Sequence, residues 1–155
     1  MRVRILVGLV GGPALFGVIW GGSPFLTILV ALAALWGMYE FNGLSRGTGA
    51  VTALAPGLLL TLLFVLNGQL AEKEGSSAQF LIAAAFGVPL VWNAVRPGRS
   101  VRGFVQSWLL AAAGPLYVGL LLSHALMLRE AGDLLYDGRN WLLFAVFTTF
   151  ATDTG

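Results

Sequence analysis

The sequence contains no cysteine, which excludes disulfide bridges, thiolate metal sites and cysteine nucleophiles. Its one histidine, His124, excludes a metal centre built from several histidines. Charged residues make up only 10% of the chain, against roughly a quarter of an ordinary soluble domain. The net charge of +2 comes from few ionisable groups, so we expect no nucleic-acid partner. Glycine-rich phosphate loops of the Walker or dinucleotide type are also lacking.

Apolar residues are abundant instead, at 57% of the chain, and they fall into long runs. A helix rises about 1.5 Å per residue, so runs of this length suit a hydrocarbon core about 30 Å thick. The sequence therefore predicts an all-α, polytopic membrane helix bundle with about six transmembrane helices and the lipid bilayer as its solvent. The runs cover residues 5–20, 24–41, 50–66, 78–95 and 104–128, and a sixth begins at residue 141.

The first run could be a signal peptide, since it follows a short basic start and is interrupted by Gly11, Gly12 and Pro13. No Ala-x-Ala type of cleavage site follows it, which favours an uncleaved first membrane helix. In the fifth run, Gly114-Pro115 predicts a kink, because proline removes a backbone hydrogen bond. The interval from Gly114 to Gly119 predicts small-residue notches for helix packing.

The sixth run is too short to cross a bilayer, so we expect the sequence to stop inside a helix of a longer protein. We divide the chain into residues 1–95, holding four transmembrane helices, and residues 96–155, holding helices five and six as the truncated start of a catalytic region. Loop 67–77 is expected to be a solvated linker.

Basic residues set the expected orientation, because short loops rich in Lys and Arg stay in the cytoplasm. With the N-terminus inside, six of the nine basic residues are cytoplasmic and three are outside. We therefore expect a multi-pass protein of the plasma (inner) membrane, with the N-terminus and the Asp153 end in the cytoplasm. The loop Arg96-Pro-Gly-Arg-Ser-Val-Arg either holds anionic lipid head groups or simply enforces topology, and the second is the default explanation.

Ionisable residues in or at the ends of apolar helices are the first candidates for function, because burying them in lipid is costly. Asp153 ends the run Phe-Thr-Thr-Phe-Ala-Thr-Asp and must face protein, water, a cation or the interface. A carboxylate suits Mg²⁺, which takes one or two protein oxygens together with substrate phosphates. The alternative is that Asp153 caps a helix or loop in interfacial water.

Two further ionisable residues are interpreted as structural. Glu40 lies beside Trp36 and Tyr39, which resemble an aromatic belt, and we expect it to pair with Arg46 or a neighbouring helix. His124 has no acidic or nucleophilic partner at helical spacing, so we expect a helix-contact or interfacial residue rather than a base.

Several short motifs together resemble one family. They are Tyr39-Glu40-Phe41, the segment Gly114-Pro115-Leu116-Tyr117-Val118-Gly119, Trp141-Leu142-Leu143, and above all Thr149-Phe150-Ala151-Thr152-Asp153-Thr154-Gly155. They resemble the phosphatidate cytidylyltransferase (CDP-diacylglycerol synthase) family, in which a similar Asp-Thr/Ser-Gly is followed by Ala-Tyr. The resemblance implies an enzyme that joins CTP to phosphatidic acid, giving CDP-diacylglycerol and pyrophosphate with the help of Mg²⁺ or another divalent cation. It carries Asp153 over as a metal ligand and suggests a homodimer.

The family's Ser-Pro-Lys-Lys-Thr-Trp-Glu-Gly type of segment and its later lysine and histidine elements do not occur in these residues. We therefore expect the 155 residues alone to be inactive, with other catalytic and substrate-binding residues unknown. Two alternatives stay open: a fragment of a transporter or channel lined by Asp153 and the broken fifth helix, and a fragment of a CTP-dependent lipid kinase. No second half repeats the first, as paired repeats in a transporter would require.

Overall fold

The computed structural model describes residues 2–50, 53–74, 77–95, 100–131 and 137–154. These residues form six helices and, within the described ranges, no strand, which confirms the all-α bundle. The helices are α1 (Arg2–Gly21), α2 (Ser23–Gly47), α3 (Leu54–Glu74), α4 (Ala78–Ala94), α5 (Val101–Glu130) and α6 (Gly138–Thr154).

Three helical segments are long and apolar enough to cross a membrane: Ser23–Gly47, Leu54–Ala71 and Val101–Glu130. Helix α4 is apolar but shorter. The first predicted run is a continuous helix that passes through Pro13. Three predicted boundaries were wrong: α3 begins at Leu54 rather than residue 50, it ends at Glu74 rather than residue 66, and α6 begins at Gly138 rather than residue 141. Most of the predicted linker 67–77 is therefore helical.

Local sequence explains where several helices begin and end. Gly22 alone joins α1 to α2 and has φ 110°, a conformation that favours glycine, and Pro24 follows in the first turn of α2. Helix α2 ends before Gly49, which has φ 79°. At the start of α5, the Ser100 hydroxyl accepts a hydrogen bond from the Gly103 amide at 3.2 Å.

Helix α3 lies at the centre of the bundle and packs against α2, α4 and α5. Helix α2 runs antiparallel to it, since Thr27 near the start of α2 contacts Gln69 near the end of α3. Helix α5 runs parallel to α3, because Gly119 and Ser123 follow the same order along α5 as their neighbours Thr61 and Gly68 along α3. Antiparallel α2 and α3 and parallel α3 and α5 are what successive crossings of a membrane require.

Buried side chains from five helices form the hydrophobic core. In α2 they recur every three or four residues, which places them on one face. The core residues are Ile19, Leu26, Val30, Ala34, Val65, Val118, Leu126 and Leu142. Most large apolar side chains elsewhere are exposed, among them Phe25, Leu32, Trp36, Leu44, Phe80 and Tyr117. An exterior of this kind suits lipid rather than water.

Glycine notches bring the helices together, as predicted for the fifth run. Met38 of α2 is buried at 1% exposure, and it lies against both Gly57 of α3 and Gly114 of α5. A Cβ added at Gly114 would lie 2.8 Å from the Met38 sulfur, and one at Gly57 would lie closer still to the Met38 methyl group. Both glycines therefore make room for one methionine side chain.

The irregularity expected at Gly114-Pro115 takes the form of a π-helical segment, Pro115–Leu120, within the otherwise α-helical α5. Proline has no amide hydrogen to donate, and one extra residue in the turn accommodates that loss without ending the helix. The same segment carries Gly119, where an added Cβ would lie 2.9 Å from Thr61 Cα. The π segment is thus one of the places where the backbones of α5 and α3 approach closely.

Candidate functional site

Asp153 lies in the last turn of α6, and its side chain is outside the described residues. Helix α6 packs against the end of α5, Leu121–Glu130, and against α1, but among the described residues it meets no other helix. Ala151 and Thr152 are exposed. The described helices therefore hold the beginning of α6 and leave the surroundings of its last turn open.

The hydroxyl groups of three threonines near Asp153 form hydrogen bonds within their own helix. The hydroxyls of Thr148, Thr149 and Thr152 donate to the carbonyls of Phe144, Ala145 and Thr148 at 2.7, 2.9 and 2.8 Å. This is the ordinary behaviour of threonine in a membrane helix. These hydroxyl hydrogens are therefore not free to bind a substrate phosphate while the bonds persist.

The donor set can be compared with what Mg²⁺ requires. Within the described residues, no group of three or more His, Cys, Asp or Glu side chains comes together. A magnesium ion held mainly by substrate phosphates needs only one or two protein carboxylates, so it does not need such a cluster. A single aspartate such as Asp153 has the chemistry for that role, and its side chain lies outside the described residues.

Glu40 has a local partner that differs from the expected ones. Its Oε1 accepts a hydrogen bond from the Trp36 indole nitrogen at 2.7 Å, one turn earlier on the exposed side of α2. Among the described residues Glu40 makes no ion pair with Arg46. Of the two expected partners, Arg46 or a neighbouring helix, the described residues show neither, and the bond of Glu40 to Trp36 lies within α2 at four-residue spacing.

His124 lies on the exposed side of α5, and its Nδ1 lies 2.7 Å from the carbonyl oxygen of Leu120. The Ser123 hydroxyl donates to the same carbonyl at 2.7 Å. Leu120 ends the π-helical segment, so two side chains serve a carbonyl at this irregular turn. The helices therefore do not gather His124, Glu40 and Asp153 into one site, since α6 does not contact α2 and His124 bonds within its own helix.

A polar cluster that the sequence analysis missed lies where α1 ends, α5 ends and α6 begins. Arg129 pairs with Glu130, and its Nε donates to the carbonyl of Ile19 at 3.3 Å. Arg139 donates to Asp137 at 2.8 Å and lies over the Trp20 ring, 5.3 Å from its centroid. The adjacent opposite charges were the signal that could have revealed these pairs.

The Arg139 contact also affects acidity. Hydrogen bonds from the Arg139 side chain and backbone hold the pKa of Asp137 below its ordinary value of 3.8. The cluster connects α1, the end of α5 and the start of α6, and its Asp137 carboxylate stays ionised. We interpret it as a structural contact between these segments.

Most of the basic loop, Arg96 and Arg99 included, lies outside the described residues, as do the side chains of Arg2, Arg4 and Lys73. The described end of the loop places Ser100 as the α5 cap and leaves Arg102 exposed. Gln106, one turn further, donates to the carbonyl of Thr48 at 3.4 Å. The start of α5 and the end of α2 therefore lie at the same end of the bundle, and Arg46 and Arg102 lie there together.

The fold and the apolar exterior define an α-helical membrane protein in which Asp153 lies at the end of the last described helix. A family model described as the cytidylyltransferase family matches residues 2–155, and the chain belongs to that family, the CDP-diacylglycerol synthase family. No curated protein and no solved structure matches the chain. Family membership confirms the resemblance seen in the motifs, and it supports a nucleotidyltransferase that uses CTP.

Proposed function

We propose that this chain is the membrane-embedded part of a phosphatidate cytidylyltransferase, which transfers CMP from CTP to phosphatidic acid. The observation that carries the proposal is the family match across residues 2–155, which includes the Asp153 motif. The family supports the transferase over the transporter or channel that the composition alone left open. The choice of phosphatidic acid as acceptor rests on the resemblance of the motifs.

In the proposed reaction, a phosphate oxygen of phosphatidic acid attacks the α-phosphorus of CTP. A new P–O bond forms there, the bond from that phosphorus to the bridging oxygen breaks, and pyrophosphate leaves with the electron pair. The protein has little covalent work to do in such a displacement, so positioning and charge neutralisation dominate. A bound Mg²⁺ would supply that neutralisation along the triphosphate.

Asp153 is the proposed protein ligand of the metal. It follows Gly138 by fifteen residues, which is about 22 Å of helix against a hydrocarbon core about 30 Å thick. The Trp20 and Arg139 pair at the start of α6 has the composition of an interfacial belt. With that belt at the outer interface, Asp153 stands about 8 Å from the inner one, within reach of cytoplasmic CTP.

Asp153 cannot do this chemistry alone, and the open surroundings of the last turn of α6 leave room for further groups. We propose that these groups come from residues beyond Gly155 or from the second copy in a homodimer. The 155 residues by themselves are then inactive, and robust CDP-lipid synthesis by the purified 155-residue protein would contradict this part of the proposal.

The position of the phosphorus that reaches the lipid decides between the two CTP-dependent reactions. The product of the complete reading frame is incubated with Mg²⁺, with CTP labelled on either the α- or the γ-phosphate, and with either phosphatidic acid or diacylglycerol, whose free hydroxyl group a lipid kinase requires. A cytidylyltransferase transfers only the α label to lipid and releases labelled pyrophosphate from γ-labelled CTP. Transfer of the γ label would instead establish a lipid kinase, and transfer of neither label would refute both.

A further inference from the structure

A groove runs along the exposed side of the first turns of α5. Val101, Val105 and Leu109 recur every four residues and form one row, and Arg102 and Gln106 form the row beside it. The groove has a volume of about 700 Å³ and extends about 12 Å along the helix. Its floor is thus mostly apolar, with a guanidinium group at the end nearest the basic loop.

The charge around this groove is one-sided. Arg102 is exposed, and no carboxylate of the described residues pairs with it. Between Glu74 and Glu130 the sequence contains no acidic residue, although it contains Arg96 and Arg99 just before the groove. At the neighbouring end of α2, the Glu40 carboxylate bonds to the Trp36 indole and forms no ion pair with Arg102. The Arg102 guanidinium group therefore has no ion-pair partner among the described residues.

An apolar row beside an uncompensated arginine matches one type of molecule found at this depth, an amphiphile with an anionic head. We propose that the groove binds one anionic membrane phospholipid, with an acyl chain along Val101, Val105 and Leu109 and its phosphate on Arg102. The planar guanidinium group can donate two parallel hydrogen bonds to phosphate oxygens. The test of this site uses neither CTP nor phosphatidic acid, the acceptor of the proposed reaction, so failure of this proposal is distinguishable from failure of the proposed reaction.

Native mass spectrometry of the detergent-purified protein tests the site directly. The probes are phosphatidylglycerol and phosphatidylcholine with identical acyl chains, and the variants are Arg102→Gln, Val105→Trp and, as a matched control, Arg46→Gln. Arg46 is also exposed at this end but lies outside the groove. Circular dichroism confirms that each variant keeps its helix content.

We expect Arg102→Gln to weaken phosphatidylglycerol binding about fivefold and phosphatidylcholine binding less, since both lipids carry the phosphate but only the phosphatidylglycerol head has a net negative charge. Val105→Trp fills the groove and weakens the binding of both lipids, whereas Arg46→Gln leaves both unchanged. Equal losses from Arg102→Gln and Arg46→Gln would overturn the proposal in favour of a diffuse surface charge. A loss of dimer mass in Val105→Trp with lipid binding intact would overturn it in favour of a second protein copy in the groove.

Discussion

Thr61 is a buried polar residue whose hydroxyl is unpaired within the described structure. It lies at the centre of α3 with 0% exposure, next to Gly119 of α5. A buried hydroxyl without a hydrogen bond costs about 1–3 kcal/mol, whereas a methyl group of the same size costs nothing of that kind. The close packing of α3 on α5 thus retains a destabilising group.

Replacing this hydroxyl should stabilise the protein. We expect Thr61→Val to raise the free energy of unfolding by about 1 kcal/mol, because it removes the unpaired group and keeps the side-chain volume. The unfolding midpoint in detergent measures the change. Thr148→Val is the control, since that exposed hydroxyl bonds to its own helix and its loss should change little. A lower midpoint for Thr61→Val would mean that the hydroxyl has a partner.

The ion pair at the start of α6 predicts a pH dependence. Because Arg139 lowers the pKa of Asp137 in the folded protein, this carboxylate stabilises the fold above its ordinary pKa of 3.8. That contribution is lost as the pH falls through the lowered folded pKa. We therefore expect Asp137→Asn to lower the unfolding midpoint at pH 7, and the difference from wild type to shrink below pH 3.8. A difference independent of pH would show that the pairing is not electrostatic.

At the scale of helices, the approach of α5 to α3 depends on glycine. An added Cβ at Gly119 would lie 2.9 Å from Thr61 Cα and 3.2 Å from its carbonyl oxygen, both of which are backbone atoms that cannot move aside alone. We expect Gly119→Ala to destabilise the bundle by about 1–3 kcal/mol.

Gly87→Ala in α4 is the matched control for this prediction. Its added Cβ meets nothing within 4 Å, so the change should be neutral or slightly stabilising through helix propensity. Both variants gain the same propensity, and unfolding midpoints therefore isolate the effect of the contact. Equal midpoints would show that α3 and α5 are not held at the distance observed here.

The sequence predicted which segments form helices. It predicted the ends of those helices and the contacts between them less well. Apolar runs reveal the part of a helix that lies in lipid, but α3 continues to Glu74, past the polar residues after Leu66 at which the predicted run ended. Gly114-Pro115 marked the irregular turn of α5 because proline lacks a donor. The position of the Met38 side chain between Gly57 and Gly114 was not predictable, because the contact involves residues from three helices that are far apart in sequence.

For the whole molecule, the orientation in the membrane is the property that the positive-inside rule predicts. Gly47 and Ser77 are both exposed, and they lie beyond opposite ends of the bundle. The chain has no cysteine, so Gly47→Cys and Ser77→Cys each introduce a single labelling site.

With the N-terminus in the cytoplasm, an impermeant maleimide added to intact cells should label Ser77→Cys and spare Gly47→Cys until the membrane is opened. Labelling in the opposite order would invert the topology and place Asp153 outside, away from CTP.

The candidate site was identified by motif rather than by assembled geometry. Asp153 was a candidate because a carboxylate at the end of an apolar run is costly to bury in lipid. The family match includes the motif that contains it. The helices leave its surroundings open, so sequence reasoning found one proposed ligand and could not supply the others. Ligands contributed by another chain segment or by a second copy are not adjacent to Asp153 in sequence, so no motif near Asp153 can identify them.

The proposed reaction depends on the carboxylate of Asp153 holding a cation against phosphate. The most direct measurement is Mg²⁺-dependent formation of CDP-lipid by the complete reading-frame product, comparing Asp153→Asn with Asp137→Asn at equal amounts of folded protein. Asp137 is the matched acid at the opposite end of α6, already paired with Arg139. We predict that Asp153→Asn lowers the rate at least a hundredfold, about 2.7 kcal/mol of lost stabilisation, while Asp137→Asn keeps near-normal activity. Unchanged synthesis by Asp153→Asn would contradict the account.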